Sequence, residues 1–231
     1  MASVRNTVRS CLDKSGTISL REDVLGVYGD DNPQDRSVLD QLDRIRNDPF
    51  VRVALVTVRP SGSTAGQDGD LQRDLDNTNR VYQNECGGWV YPVGSRVVNT
   101  NLLGTNVLLD QNDCSGNGHS VSDEEDDLFD LGRDMGADIV CYFINGSTGG
   151  AFGCAAHPDG RRGFWTANSS PGRTPWTFPH ELGHIVGDNG HVSDTDNLMY
   201  GGGTNGITDP PPDLTDPQCN RIGGDEDLET C

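Results

Sequence analysis

Lysine is all but missing from this chain. Lys14 is the only one, and every other basic residue is arginine. The 17 basic residues face 36 acidic ones, giving a formal net charge of −19. Such a chain repels the phosphates of nucleic acid and the headgroups of anionic lipid, which excludes both as partners. Long apolar runs are missing too. No stretch approaches the roughly 20 apolar residues needed to cross a bilayer, and the opening residues lack the apolar segment of a secretory signal. No internal repeat or low-complexity tract is visible. The cysteines form no CxxC pair, which argues against a zinc ribbon or a thioredoxin-type redox motif.

What is present is a chain of 231 residues, the size of one ordinary domain and long enough to bury a core. Apolar residues make up only 33%, and there are 30 glycines, so many turns around a modest core are expected. The seven cysteines, Cys11, Cys86, Cys114, Cys141, Cys154, Cys219 and Cys231, are scattered. Three disulfides and one odd thiol is the simplest reading, and it implies an oxidising, extracellular compartment in which the chain is a processed, secreted form. Seven reduced thiols in a cytosolic protein is the alternative. An acidic, lysine-poor surface also suits a saline habitat, where salt screens self-repulsion; an acidic extracellular protein without that habitat is equally consistent.

Hydrophobic periodicity supplies the elements. Residues 35–47 place Val38, Leu39, Leu42 and Ile45 on one helical stripe, ended by Asp48-Pro49. Phe50 to Val58 is β-branched and apolar, a buried strand. Leu71 to Asn84 carries Leu71, Leu75, Thr78 and Tyr82 at helical spacing, with Gly87-Gly88 as the stop. Trp89 to Val98 reads as a strand broken by Pro92 and Gly94. Residues 111–120 read as a polar loop. Ser122 caps a helix predicted over Asp123 to Met135, whose acidic first turn complements the helix dipole. Calcium is a possible ligand for that acidic run, but no EF-hand spacing supports it. Asp138 to Ile144 is a second buried strand, and Gly149 to Ala156 an exposed, glycine-rich edge strand. Pro175 to Val186 is a helix, and a last short helix is predicted over Asp216 to Ile222. The order predicts an α/β (α+β) fold with a mixed sheet.

The segment Phe178 to Tyr200 reads FPHELGHIVGDNGHVSDTDNLMY. His180 and His184, four apart, share one helical face with their imidazoles close enough to bind one ion. Zinc takes about four N, O or S ligands, so a third must come from beyond the helix. Gly187 can adopt the positive φ that ends the helix and turns the chain back. His191 then arrives as the natural third ligand, leaving the fourth position open. Asp188 and Asp194 are the alternatives, since carboxylates also bind zinc. Glu181 neighbours the ligands without being one, and is placed to take a proton from water. His119 and His157, in Gly and Pro contexts, read as surface histidines.

His180-Glu181-x-x-His184-x-x-Gly187, His191 and then Asn197-Leu198-Met199-Tyr200 resemble the metzincin metallopeptidases, which carry HExxHxxGxxH and a methionine turn. The match is specific over residues 178–200 only. It departs from the family in that His191 stands four residues after the glycine, not three; Gly190 takes the usual place. The resemblance implies a zinc endopeptidase with one catalytic Zn2+ and a protein or peptide substrate. It implies an upper subdomain over about 1–187, with a twisted mixed sheet and helices above the active-site helix. A small irregular lower subdomain would follow over about 188–231. It makes Met199 a structural support below the metal. It makes Gly150, Ala151, Phe152 and Gly153 part of a substrate-pairing edge, and Gly201 to Gly206 part of a specificity pocket. Tyr200, directly after the methionine, is a candidate substrate contact. Cys11 loosely resembles a latency cysteine; a disulfide or free tail thiol is the plainer reading. A monomer is expected. The rival functions are a catalytically silent zinc-stabilised binding module and a zinc hydrolase of a non-peptide amide or ester.

Overall fold

The computed structural model describes residues 49–62, 69–110, 121–156, 163–167 and 173–225. The helix expected over residues 35–47, the polar loop over 111–120, and Cys11, Cys114, Cys231, His119 and His157 lie outside the described residues.

The strand expected from Phe50 is β1 (Phe50–Arg59), and the helix after it is α1 (Gly69–Cys86). Next come β2 (Trp89–Asn99), β3 (Leu108–Leu109), α2 (Asp123–Asp130), β4 (Ile139–Ile144), β5 (Gly146–Ser147), β6 (Gly153–Ala156) and β7 (Gly163–Ala167). The motif helix α3 (Thr177–Ile185), a 3-10 turn at Thr204–Gly206 and α4 (Asp216–Gly223) complete the chain. Five strands form a sheet in the order β2-β1-β4-β7-β6; β3 pairs with β5 separately. The ladders of β1 with β2 and β4, and of β4 with β7, are parallel, whereas β6 runs antiparallel to β7. The expected mixed α/β fold is therefore present.

Both faces of the sheet are covered, which is why β1 and β4 read as continuous apolar runs. Side chains alternate across a strand. Val53 and Leu55 of β1 and Cys141 and Phe143 of β4 enter one core with Leu75, Tyr82, Phe178, Leu182 and Met199. Val56 and Val58, with Tyr142 and Ile144, enter the other, against Leu128, Phe129 and Trp165. The disulfide Cys86–Cys219 ties the end of α1 to α4 across 133 residues of sequence. Cys154 is also disulfide-bonded, while Cys141 is a free, buried thiol. No helix among the described residues is long and apolar enough to cross a membrane.

Several expectations change. Strand β2 is continuous, not broken: Val53 pairs with Pro92 and Ala54 with Gly94, so Val93 is accommodated as a bulge. A sheet-edge position tolerates Pro92, which has no N–H to donate. Helix α2 stops at Asp130 instead of reaching Met135. A Cβ on Gly132 would lie 2.6 Å from Val140 Cγ1 and 2.8 Å from the Tyr142 hydroxyl, so the chain leaves the helix where its bare backbone meets the sheet. The acidic start of α2 is not wholly solvated. Glu125 is buried, accepts from Trp165 Nε1 at 3.0 Å and closes a capping box with Ser122. The edge strand spans only Gly153–Ala156, and Cys154, Ala155 and Ala156 are buried, because this end of the sheet packs against α3 and the second core. Strand β7 was not expected at all. Its five residues are too few for periodicity to reveal, yet it joins β4 to β6 and packs Phe164 edge-on to Phe178 of α3 at 4.9 Å.

Candidate metal centre

All residues of helix α3 are buried, the polar His180, Glu181 and His184 included, so packing fixes its rotation. The Tyr82 hydroxyl of α1 donates to the Pro179 carbonyl at 2.9 Å. Met199 lies beneath the helix: a Cβ on Gly183 would sit 2.7 Å from Met199 Sδ, so glycine is what lets the thioether in. At the end of the helix Gly187 has φ 85°, and a Cβ there would meet the Ile222 backbone nitrogen of α4 at 2.6 Å. Asp188 also has positive φ, 48°. This tight reversal turns the chain back before His191.

The reversal brings His180, His184 and His191 together, with one ring nitrogen of each within 4.8 Å of the others. Among the described residues this is the grouping of His, Cys, Asp and Glu side chains able to hold a metal, and neither Asp188 nor Asp194 belongs to it. His180 Nδ1 donates to the Leu198 carbonyl at 2.7 Å and His184 Nδ1 to the Asn189 carbonyl at 2.6 Å. A carbonyl only accepts, so in each neutral ring the single N–H is on Nδ1 and Nε2 presents a lone pair. Yet His180 Nε2 lies 3.3 Å from His191 Nε2 and 3.2 Å from His184 Nε2. Converging lone pairs repel, and a cation between them relieves that repulsion. Two nitrogens at about 2.05 Å from a tetrahedral zinc stand about 3.3 Å apart, which is the spacing of His180 Nε2 to each of the other two rings, the three nitrogens lying within 4.8 Å of one another. The donor set fits zinc.

Electrostatics agree. Burial pushes the His180 imidazole down to about 4, with His191 acting the same way and the Leu198 hydrogen bond opposing. Burial also lowers His191. Both rings are therefore kept in the neutral form that binds metal. Burial pushes the Glu181 carboxyl up to about 8.

Of the residues that support these rings, only Asn197 stood among the named motif residues; Asn189, Gln218 and Arg221 did not. The Asn189 side chain is gripped by Arg221 of α4, whose Nε and terminal nitrogen donate to Asn189 Oδ1 at 3.0 and 2.7 Å. Asn197 and Gln218, both buried, exchange hydrogen bonds at 2.9 and 3.0 Å, and Asn197 Oδ1 accepts from the Met199 N–H. Such partners orient the rings, but Gln218 and Arg221 come from α4, far along the chain, and leave no local signature.

A cleft of about 290 Å3 opens beside the histidines. Ala151, Phe152, Gly153 and Ala155 form its upper rim, Glu181 lies within it, and Gly201, Gly203 and Thr204 close the far side. The Thr204 and Thr177 hydroxyls bond at 3.0 Å, joining that wall to the start of α3. Gly150 and Tyr200 are not among the lining residues. The Tyr200 ring is turned into its own loop, where a Cβ on Gly202 or Gly206 would approach it to 2.5 or 2.7 Å.

No protein-family model matches the chain, and no curated protein does. Among solved structures, metalloproteinase-II from Bacteroides fragilis is similar at TM-score 0.51 and 15% identity over 78% of this chain and 53% of that one. This chain thus spans about half the length of that protein. A chain in a chaperone–substrate complex gives TM-score 0.50 and 15% identity over 77% of this chain and 34% of that one. Archaemetzincin from Methanopyrus kandleri gives 0.46 and 15%, over 75% and 93%. The chain has a metalloproteinase-like fold carrying a three-histidine cluster.

Proposed function

We propose that this chain is a secreted zinc-dependent endopeptidase of metzincin type. In this reading His180, His184 and His191 hold one catalytic zinc ion, Glu181 is the general base, and Met199 is the support beneath the site. The observation that carries it is the convergence of three imidazoles whose Nδ1 protons, on His180 and His184, are already committed to carbonyls. Bound zinc supplies Lewis acidity, acidifying water and polarising a carbonyl. Glu181 accepts the proton of the attacking water and returns it to the departing amine.

The substrate is a protein or peptide lying extended along Ala151, Phe152 and Gly153, where main-chain pairing suits an unfolded segment. The strands of the sheet all precede Gly187, which supports a division into an upper subdomain over about 1–187 and a lower one over about 188–231. The Cys86–Cys219 disulfide supports an oxidising, extracellular location and action as a monomer is our expectation.

The test is zinc content and casein cleavage side by side for the parent and Glu181→Gln. One zinc in each with cleavage lost only in the variant supports the reading. Zinc in both with cleavage in neither moves the assignment to a zinc-stabilised binding module.

A further inference from the structure

Strand β6 lines the cleft with Gly153 and Ala155, and Gly153 lies directly against the side chain of Glu181. An ideal Cβ on Gly153 would lie 2.6 Å from Glu181 Oε1, 2.8 Å from Cγ and 2.9 Å from Cδ. Non-bonded carbons prefer separations of about 3.5–4.0 Å, so the carboxylate occupies the volume that a side chain at position 153 would fill. Backbone conformation does not call for glycine here. Gly153 is absent from the positive-φ residues and lies in the ladder opposite Thr166. Gly187 is different: its φ is 85° and a Cβ there would strike the backbone of α4, which cannot yield. At Gly153 the nearest atoms are Oε1, Cγ and Cδ of one side chain and not backbone. The consequence of adding a Cβ therefore falls on the position of that carboxylate and not on the fold.

We propose that Gly153 is a positioning residue for Glu181: its missing Cβ is the berth in which the base lies against the sheet edge, beside the three histidines. This rests on Glu181 being the base. A displacement of about 1 Å at a reacting group costs on the order of 10²-fold in rate, so Gly153→Ala should lower kcat by that order. KM should stay near the parental value. Zinc content should remain one per chain. The melting temperature, with and without zinc, should hold or rise slightly, since alanine restricts the unfolded chain.

The experiment compares the full-length parent, Gly153→Ala, Glu181→Asp and the double variant in kcat and KM on an unstructured peptide, zinc per chain, and melting with and without zinc. If the two sites act through one carboxylate, the losses in kcat are less than multiplicative in the double variant. An unchanged kcat in Gly153→Ala overturns the proposal, as does a rise in KM alone, which would mean that the Cβ obstructs substrate. A fall in melting temperature with loss of zinc, or fully multiplicative losses, overturns it as well. Glu181→Gln separates the two levels: if it retains parental kcat, the base assignment itself fails. If it is inactive while Gly153→Ala is fully active, only the berth fails.

Discussion

Replacing Glu181 by glutamine should change how the metal-free protein responds to pH. The carboxyl goes from an ordinary value of 4.5 to about 8, solely because it is buried. Between those two values the folded chain holds a proton that the unfolded chain releases. The folded state binds more protons, so stability falls as pH rises through the window. The full shift corresponds to on the order of 5 kcal/mol, at about 1.36 kcal/mol per pH unit. His180 works in the opposite direction, its folded value lying near 4 against an ordinary 6.5. The unfolded chain binds that proton first, so this contribution is lost as pH falls through 6.5 and is complete above it. Above pH 6.5 His180 and His191, both lowered, contribute only about a few tenths of a kcal/mol of opposite sign and do so in parent and variant alike, so the difference between the two proteins isolates Glu181. From about pH 6.5 to 8 the parent should lose about 2 kcal/mol that the glutamine variant, which cannot titrate, keeps. Urea denaturation of EDTA-treated protein at several pH values measures this directly. Parallel curves for parent and variant would refute the claim that burial of this carboxyl is uncompensated in the absence of metal.

Two further changes act through the supports of the site. Arg221→Met removes both donors to Asn189 Oδ1 and should loosen the carbonyl that orients His184, weakening zinc binding about 10–100-fold in a chelator competition; unchanged affinity would show that the backbone alone fixes Asn189. Replacing Cys86 and Cys219 by serine should cost about 2–5 kcal/mol in urea denaturation, because this bond closes a loop of 133 residues between α1 and the helix that carries Arg221. A loss below about 0.5 kcal/mol would mean that packing already holds the two helices together.

Legibility tracked the range of the interactions involved. β1 and β4 were visible because both their faces are buried, making each a continuous apolar run. α1 was visible through the spacing of Leu75, Thr78 and Tyr82, all of them buried. The cap of α2 was readable from Ser122 and its acidic turn, but not its end, because Gly132 answers to Val140 and Tyr142 of another element. β7 escaped because a five-residue strand becomes one only by pairing with β4 and β6.

At the centre, the sequence by itself determined that two imidazoles share a helical face, that a glutamate stands beside them, and that a glycine can turn the chain toward a third histidine. Those are consequences of the 3.6-residue turn and of the freedom of glycine, and both act over a few residues. Only the tertiary structure brought the His191 ring, and neither Asp188 nor Asp194, up to the other two imidazoles. It alone brought Leu198 and Asn189 carbonyls to the ligand rings, turned Tyr200 away from the cleft, and laid β6 against Glu181 so that Gly153 leaves room for the carboxylate. Each of these depends on atoms from segments far apart in the chain, whose meeting is set by how the sheet and helices pack.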